Sequence, residues 1–354
     1  MDKNCVVVGM SGGVDSSVAA YLLKQRGFKV IGVTMNLWHE SENALNDAIT
    51  DARKIAEKLG IEHYVIDFKD IFRNNVVDYF IKEYMNGRTP NPCLICNKQI
   101  KFGALLAKAR ELGAYYIATG HYARVERDLK ANRFILRKGV DDKKDQTYVL
   151  YSLSQYQLEH ILMPLGNYTK DKIRNIAHQI GLEVADKPDS QEICFIKDND
   201  YGRFIKKICA DDVKEGYFVD VTGKILGKHK GVIYYTIGQR KGLGVSFGKP
   251  MYVVDIDAKN NIVVLGEQDD LFNNVLIAYD VNFIAIESLY EPMRVKAKIR
   301  YNAKEAGACI YPFDNDKVKV VFDEPQRAIT PGQGVVFYEE DKVIGGGIIL
   351  FGHY

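Results

Sequence analysis

The chain has 354 residues, of which 47% are hydrophobic and 27% charged, a balance that is ordinary for a globular protein of two or three domains. No apolar run reaches the ~18 residues that a membrane-spanning helix needs, so we expect a cytosolic protein that does not cross a membrane. The net charge of +2 neither favours nor excludes nucleic acid, because phosphate contacts need only local clusters of lysine and arginine.

The first two hundred residues alternate between predicted strands and predicted helices. Strands are expected at residues 4–10, 28–35, 63–67 and 115–119, and helices at residues 16–24, 47–59, 71–85, 102–112, 170–180 and 200–208. Strands and helices that alternate at this spacing predict an α/β fold with a doubly wound parallel sheet, covered on both faces. We expect this domain to span residues 1–209.

The pattern changes after residue 210, where helical spacing becomes rare. Short β-like segments at residues 231–236, 251–257 and 262–265 predict a small β-rich domain over residues 210–275. A second set of alternating segments predicts a C-terminal β-barrel over residues 276–354. Its strands are expected at residues 294–301, 318–322, 335–338 and 342–350.

A glycine-rich loop follows the first predicted strand. Residues 11–17 read Ser-Gly-Gly-Val-Asp-Ser-Ser and lead directly into a helix. The glycines let backbone amides approach an anion, and a helix N-terminus favours phosphate. The loop lacks the Gly-Lys-Ser/Thr ending of a Walker loop and is not Gly-x-Gly-x-x-Gly. It resembles the pyrophosphate loop of N-type ATP pyrophosphatases, the adenine-nucleotide alpha hydrolase-like enzymes that transfer AMP, and the resemblance implies ATP and Mg²⁺ as cofactors.

Six cysteines are too few for a disulfide scaffold, so each is read as a core residue or as a reactive or metal-binding thiol. Cys93 and Cys96 follow a Thr-Pro-Asn-Pro loop, and Cys194 lies in the polar-to-apolar segment 189–196. A single Cys-x-x-Cys pair does not decide between zinc, redox and iron–sulfur chemistry. Three thiols suit either a sulfur-carrying pair or a cluster held by three cysteines. The remaining cysteines are interpreted as structural: Cys5, Cys209 and Cys309.

The surroundings of the Cys-x-x-Cys pair suggest reactive thiols. The prolines fix the backbone of the loop, a helix begins close by, and Lys98 and Lys101 add positive charge. Each of these features favours thiolate, the nucleophilic form. We therefore expect the thiol pKa values in this loop to be lowered.

These segments together resemble the tRNA-specific 2-thiouridylase family over about residues 4–350. The matching segments are residues 9–17, 87–92, 118–123, 144–146, 189–196, 235–244 and 328–333. The resemblance implies a tRNA-uridine 2-sulfurtransferase that adenylates the 2-oxygen of the wobble uridine. The ATP-binding residues that it implies are Gly9, Met10, Ser11, Gly12, Gly13, Val14, Asp15, Ser16, Met35 and Gly120. The implied tRNA-binding residues are Asn91, Pro92, Cys93, His121, Lys144, Asp145, Gln146, Arg300, Tyr301 and Gln333.

The resemblance also implies how sulfur is transferred. Cys194 corresponds to the cysteine that receives a persulfide from a cysteine desulfurase, directly or through a sulfur-relay protein. Cys96 corresponds to its catalytic partner, which first assists as an acid or base. Its attack on the persulfide releases sulfur to the base and leaves a Cys96–Cys194 disulfide to be reduced. Basic stretches at residues 224–230 and 240–241 add candidate contacts to the tRNA backbone.

One position departs from the family pattern and keeps two sulfur routes open. Many members have Asn-Pro-Asp where this chain has Asn-Pro-Cys, with Cys93 in the place of the acid. Cys93, Cys96 and Cys194 together would suit a [4Fe–4S] cluster with one open iron, so a persulfide and a cluster both remain possible. The alternative functions are another adenylating ligase or synthetase with the same loop, a thiolase of a different tRNA position, and a non-catalytic tRNA-binding paralogue.

Overall fold

The computed structural model describes residues 1–38, 40, 43–188, 193–198, 200–245, 248–314 and 316–351. No helix in these ranges is both long enough and apolar enough to span a membrane. The nine α-helices of the described ranges all lie before residue 210. They are α1 (Val14–Gln25), α2 (Asn43–Leu59), α3 (Lys69–Phe72), α4 (Asp78–Met85), α5 (Pro92–Ile95), α6 (Leu105–Glu111), α7 (Gln155–Glu159), α8 (Lys170–Gln179) and α9 (Tyr201–Ile208).

The N-terminal part contains a parallel sheet and one hairpin. Its strands are β1 (Asp2–Gly9), β2 (Lys29–Asn36), β3 (Glu62–Asp67), β4 (Ala114–Ala118), β5 (Ala123–Asp128), β6 (Arg133–Lys138) and β7 (Ile161–Leu162). Five of them form the parallel sheet, in the order β3-β2-β1-β4-β7. In β1, Val7 packs into the core on one face, while Val6 and Val8 pack against α1 and α8 on the other. The unbroken apolar run of β1 is therefore explained by burial on both faces.

The rest of the chain forms two β structures. The first is a four-stranded sheet, in the order β10-β11-β8-β9, built from β8 (Gly216–Asp220), β9 (Ile225–His229), β10 (Tyr252–Asp257) and β11 (Ile262–Gly266). The second contains β12 (Phe272–Phe283), β13 (Met293–Lys298), β14 (Ala306–Phe313), β15 (Lys317–Arg327), β16 (Gly334–Glu339) and β17 (Lys342–Phe351). These six antiparallel strands close into a barrel because β12 pairs with both β15 and β17. The predicted fold class is confirmed.

Several elements differ from the sequence prediction, among them one predicted strand and one hairpin. The strand predicted at residues 231–236 is wrong, because Val232–Tyr234 forms a 3₁₀ turn after Gly231, whose φ is 128°. The hairpin β5–β6 was not predicted, and it joins the barrel where Arg137 of β6 pairs with Lys342 of β17. Arg124 of the same hairpin binds the Asp341 carboxylate at 2.6 Å. The hairpin therefore fixes the barrel against the parallel-sheet domain.

A long helical segment leads from the Cys-x-x-Cys pair toward β4. It runs through α5, a π-helical stretch (Cys96–Ala104) and α6. The Asn91 side chain caps its start by accepting a hydrogen bond from the amide of Cys93 at 3.1 Å. Cys96 is the first residue of the wide turns, and π-helical turns are frequent at functional sites.

Candidate active site at the carboxyl edge of the parallel sheet

The glycine loop connects β1 to α1 and is shaped by its own side chains. Ser16 Oγ accepts a hydrogen bond from the amide of Ser11 and donates one to the carbonyl of Gly13, both at 3.2 Å. Gly12 has a φ of 70°, and a Cβ there would lie 2.7 Å from the carbonyl oxygen of Ala48 in α2. Gly13 is the N-cap of α1 and has no side chain to occupy the first-turn amides, which leaves them to an anion.

Asp15, in the first turn of α1, is held by two residues from distant parts of the chain. Lys170 Nζ lies 2.8 Å from each of its carboxylate oxygens, and Tyr122 Oη donates a hydrogen bond to Oδ1 at 2.7 Å. Lys170 is buried at the first position of α8, where the helix dipole disfavours a cation. Asp15 therefore supplies the compensating charge, and the ammonium group lies beside the candidate phosphate site.

The ends of β2 and β4 complete this pocket. A Cβ on Gly120, just after β4, would lie 2.8 Å from the amide nitrogen of Ser16, so only glycine permits this approach to the loop. The Met35 Cε lies 3.8 Å from where a Cβ of Gly9 would stand. The structure thus brings the residues predicted to bind ATP to one edge of the sheet.

Cys96 and Cys194 lie on segments that pack against each other. Cys96 is buried in an apolar cluster that also contains Phe195, the neighbour of Cys194. Met35, at the end of β2, packs against the same cluster. None of the six cysteines, all within the described ranges, forms a disulfide. Cys93 and Cys194 raise the pKa of Cys96, Cys93 also raises the pKa of Cys194, and Lys101 lowers the pKa of all three thiols and of His121.

The thiol pKa values are raised, so the lowering expected from the sequence is wrong. Burial raises the pKa of Cys96 to about 12 and that of Cys194 to about 11, and it also raises the pKa of Cys93. Lys101 acts in the expected direction but is outweighed by the loss of hydration. Lys98 instead forms an ion pair with Asp280 at 3.2 Å.

Accessibility and pKa together describe the shape of the thiol site. The Cys93 and Cys194 side chains are exposed to solvent, although desolvation is the largest cause of their raised pKa values. Both observations hold for a group at the bottom of a cleft, which contacts solvent on one side and protein on the others. The two thiols therefore face a cleft rather than a convex surface.

The three cysteines do not form a metal-binding arrangement. Across the described ranges, no group of three histidine, cysteine, aspartate or glutamate side chains is placed to hold a metal ion. Three thiols have the right donor chemistry for a [4Fe–4S] cluster, but a cluster also needs the three sulfur atoms to converge on one point, and the described side chains do not meet that condition. This arrangement therefore does not fit the cluster.

Several residues predicted to contact tRNA surround the cleft and connect the barrel to the N-terminal loops. Tyr301 Oη donates to the carbonyl of Asp145 at 3.3 Å, and the pKa of its phenol is raised by burial and by the nearby Asp145 and Cys93. Gln146 Oε1 accepts from the amide of Tyr122 at 3.0 Å. Gln333 Nε2 donates to the carbonyl of Thr89, in the proline loop, at 2.7 Å.

The other residues predicted to contact tRNA, apart from Cys93, are wholly or partly buried. His121 is buried, bonded to Thr119 Oγ1 at 2.7 Å, and its pKa is well below its ordinary value because of burial, so its ring is neutral. The Arg300 guanidinium donates to the carbonyl of Arg327 rather than pointing at the thiols. Lys144 is half-buried, Pro92 is buried in α5, and residues 189–192 of the Cys194 motif lie outside the described residues.

Lys170 and Tyr122 were not predicted as site residues from the sequence, and the role of Lys101 was predicted only in part. Lys170 carried a signal, since a lysine at the start of a helix opposes the dipole and needs an anionic partner. Tyr122 lies in the Thr-Gly-His-Tyr segment whose histidine alone was selected. Lys101 was noted only as a charge near the Cys-x-x-Cys pair, and its closeness to Cys194 and His121 depends on the fold.

Comparison with known proteins gives matches along nearly the whole chain. Family models described as tRNA methyl transferase HUP domain, tRNA methyl transferase PRC-barrel domain and Aminomethyltransferase beta-barrel domain match residues 4–198, 202–267 and 273–349. The tRNA-specific 2-thiouridylase MnmA 1 of Thermoanaerobacter pseudethanolicus is 61% identical over 98% of each chain. The tRNA-specific 2-thiouridylase MnmA of Clostridioides difficile is 58% identical over 97% of each.

Similarity to solved structures is much weaker. The U34-tRNA thiolase NcsA from Methanococcus maripaludis, solved with its [4Fe–4S] cluster, is 22% identical, with a TM-score of 0.36 over 58% of this chain and 64% of that one. At this level the similarity does not bear on how this chain handles sulfur.

Proposed function

The chain belongs to the tRNA-specific 2-thiouridylase family, and from that premise we propose that it adenylates the wobble uridine of tRNA and replaces its 2-oxygen with sulfur. It is an enzyme of the tRNA-uridine 2-sulfurtransferase class, acting in the cytoplasm. The observation that carries the proposal is the position of Met35 at the end of β2. Its Cε lies 3.8 Å from the Cβ position of Gly9, where the glycine loop begins, and its side chain packs against the apolar cluster that contains Cys96. Gly120 packs on the glycine loop, and His121, the next residue, is close to Lys101, as the thiols are. The thiols and the nucleotide pocket therefore share one cleft.

ATP binding is assigned to the glycine loop and the groups around it. The first-turn amides of α1 face the β- and γ-phosphates, and Lys170 neutralises their charge. Mg²⁺ is usually held by one or two carboxylates together with phosphate oxygens. Asp15 is the carboxylate of the glycine loop, and it would have to share its oxygens between Mg²⁺, Lys170 and Tyr122. The uridine 2-oxygen then attacks the α-phosphorus, the bond to pyrophosphate breaks, and the base carries AMP on its 2-oxygen.

The base pocket lies between the proline loop and the barrel. The uridine must leave its stack to reach the α-phosphate, and Tyr301 offers an aromatic face for it beside Asp145. His121 is neutral, so it contributes one donor and one acceptor rather than a positive charge. The Gln333 bond to Thr89 holds the loop that presents Cys93.

Sulfur transfer is assigned to Cys194 and Cys96. A cysteine desulfurase or relay protein supplies Cys194 with a persulfide, whose terminal sulfur attacks C2 of the base and displaces AMP. The Cys96 thiolate then attacks Cys194 Sγ, forms the Cys96–Cys194 disulfide and releases the thiocarbonyl. Sulfur gains the two electrons that the two thiols lose, and an external dithiol must reduce the disulfide before the next turnover.

Anaerobic purification with iron and labile-sulfide analysis, alongside thiolation of unmodified tRNA, tests this proposal. Full activity without iron is the expected result, because the three cysteines are not arranged to hold a metal ion. Stoichiometric iron whose removal abolishes activity would overturn the persulfide route. Pyrophosphate release that does not depend on tRNA would overturn the adenylation step itself.

A further inference from the structure

Arg203 of α9 bridges two separate segments of the active-site cleft. Its Nη1 and Nη2 donate to the two carboxylate oxygens of Glu40 at 2.7 Å each. Its Nε and Nη2 also donate to the two oxygens of Asp198, at 2.9 and 3.0 Å. The planar guanidinium thus binds two carboxylates at once, a geometry that lysine does not reproduce.

The Glu40 end of this bridge belongs to the nucleotide side of the cleft. Glu40 follows β2, the strand that carries Met35, and its side chain is only 11% exposed. Its backbone amide donates to the carbonyl of Phe195 at 3.4 Å. Arg203 lowers the pKa of Glu40 against the effect of burial. Lys207 Nζ also lies 3.5 Å from Glu40 Oε1, but the two bonds from Arg203 are shorter. A carboxylate with so little exposure depends on such partners more than an exposed surface pair does.

The Asp198 end belongs to the segment that carries Cys194. Phe195 is buried among Phe72, Phe80 and Phe204, with ring centroids 5.7, 5.4 and 5.7 Å away. Phe204 follows Arg203 in α9, so one helix packs on Phe195 and binds Asp198. Cys194 lies directly beside Phe195, and Cys96 packs in the same apolar cluster. The position of Cys194 relative to Cys96 therefore depends on α9.

We propose that Arg203 is a positioning residue for sulfur transfer, which holds the Cys194 segment against the loop that follows β2. The inference rests on the proposed function, because it concerns the step in which Cys96 attacks Cys194 Sγ. Attack on a disulfide-type bond requires the sulfur atoms to be aligned, and a displacement of about 1 Å costs on the order of 100-fold in rate. The four hydrogen bonds of the Arg203 guanidinium go to Glu40 and Asp198, which lie outside the glycine loop, so we expect adenylation to proceed without Arg203.

The test separates the two half-reactions in the full-length enzyme with unmodified tRNA. Arg203→Ala is compared with the wild type for tRNA-dependent pyrophosphate release and for single-turnover thiolation by persulfide-loaded enzyme. Differential alkylation with mass spectrometry measures the Cys96–Cys194 disulfide. The matched control is Arg294→Ala, which removes another doubly bonded guanidinium, paired with Asp323 on the barrel.

We expect Arg203→Ala to slow thiolation and disulfide formation by about 10- to 100-fold, with pyrophosphate release within twofold of the wild type. Arg203→Lys should recover only part of the rate. Glu40→Gln, which keeps the shape of the side chain, should show the same selective loss to a smaller degree and guards against misfolding of the alanine variant.

Two results would overturn the inference while leaving the proposed function intact. One is unchanged thiolation in Arg203→Ala and Glu40→Gln; the other is an equal loss of thiolation and pyrophosphate release in both variants. A wild-type enzyme that releases pyrophosphate but never thiolates tRNA would overturn the proposed function, and this inference with it.

Discussion

Lys170 and Asp15 form a partly buried ion pair in which the ammonium nitrogen lies 2.8 Å from both carboxylate oxygens, at the mouth of the glycine loop. The pair joins α8 to α1 across 155 positions of sequence. A cation at this point faces the site proposed for the β- and γ-phosphates, so its charge is available to the leaving pyrophosphate.

Lys170→Met should therefore lower tRNA-dependent pyrophosphate release by about 100-fold or more, because one charge that stabilises the leaving group is lost. Lys172→Met, on the same helix but exposed beside the Tyr168 ring, should leave the rate within twofold. Equal rates for the two variants would contradict the assigned role of Lys170. Pyrophosphate is measured by a coupled phosphate assay.

Gly120→Ala should abolish ATP binding while the fold is retained. The new Cβ would lie 2.8 Å from the amide nitrogen of Ser16 and 2.9 Å from the carbonyl carbon of Asp15, so the loop must move. Gly227→Ala is the control, because within the described part of the chain its Cβ would meet only Val245, at an ordinary contact distance of 3.7 Å. Calorimetric titration with a non-hydrolysable ATP analogue measures the affinity, and wild-type affinity in Gly120→Ala would refute the placement of the pocket.

Replacing either thiol should uncouple adenylation from thiolation. Cys194→Ser removes the persulfide carrier, so thiolation should fall by at least about 1,000-fold while pyrophosphate release continues. Cys96→Ser should also block product formation, because serine does not cleave the persulfide bond. Cys309→Ser, in β14 of the barrel, is the matched control and should thiolate normally. Full thiolation by both site variants would instead favour an adenylating ligase or synthetase of another kind.

The reactivity of Cys194 should depend on pH in a way that reports its burial. Its pKa is raised from 9.0 to about 11, so the folded protein keeps the thiol protonated at pH values where the unfolded chain begins to ionise. At pH 8 the thiolate fraction is about 100-fold lower in the folded state, and it rises about tenfold per pH unit up to pH 10.

Iodoacetamide labelling between pH 7 and 10, followed by peptide mass spectrometry, measures this dependence. The same cysteine in urea serves as the reference. Its labelling rate should level off at a pH about two units lower than the labelling rate of the folded protein. A folded-state profile that levels off near pH 8 would show that Lys101, rather than burial, controls the thiol.

The sequence alone determined the features that depend on neighbouring residues. The apolar run of β1, the two glycines of the loop and the helix that follows them are local, so strand, turn and helix were predictable together. Periodicity likewise predicted the parallel sheet and the barrel. It did not reveal the hairpin β5–β6, whose strands are half polar and are stabilised by pairing with β17 and by Asp341.

The chemistry of the site depends on the tertiary structure. The pKa of a thiol rises as protein groups displace the water around it. The groups that do so at Cys96 include Phe195 and Phe204, which are about a hundred residues away in the sequence. The partners of Asp15 and Glu40 are likewise far away in sequence, because a charge selects its counter-ion by packing rather than by spacing. Local patterns record which groups are present; the balance of hydration and charge around them arises only when the chain is folded.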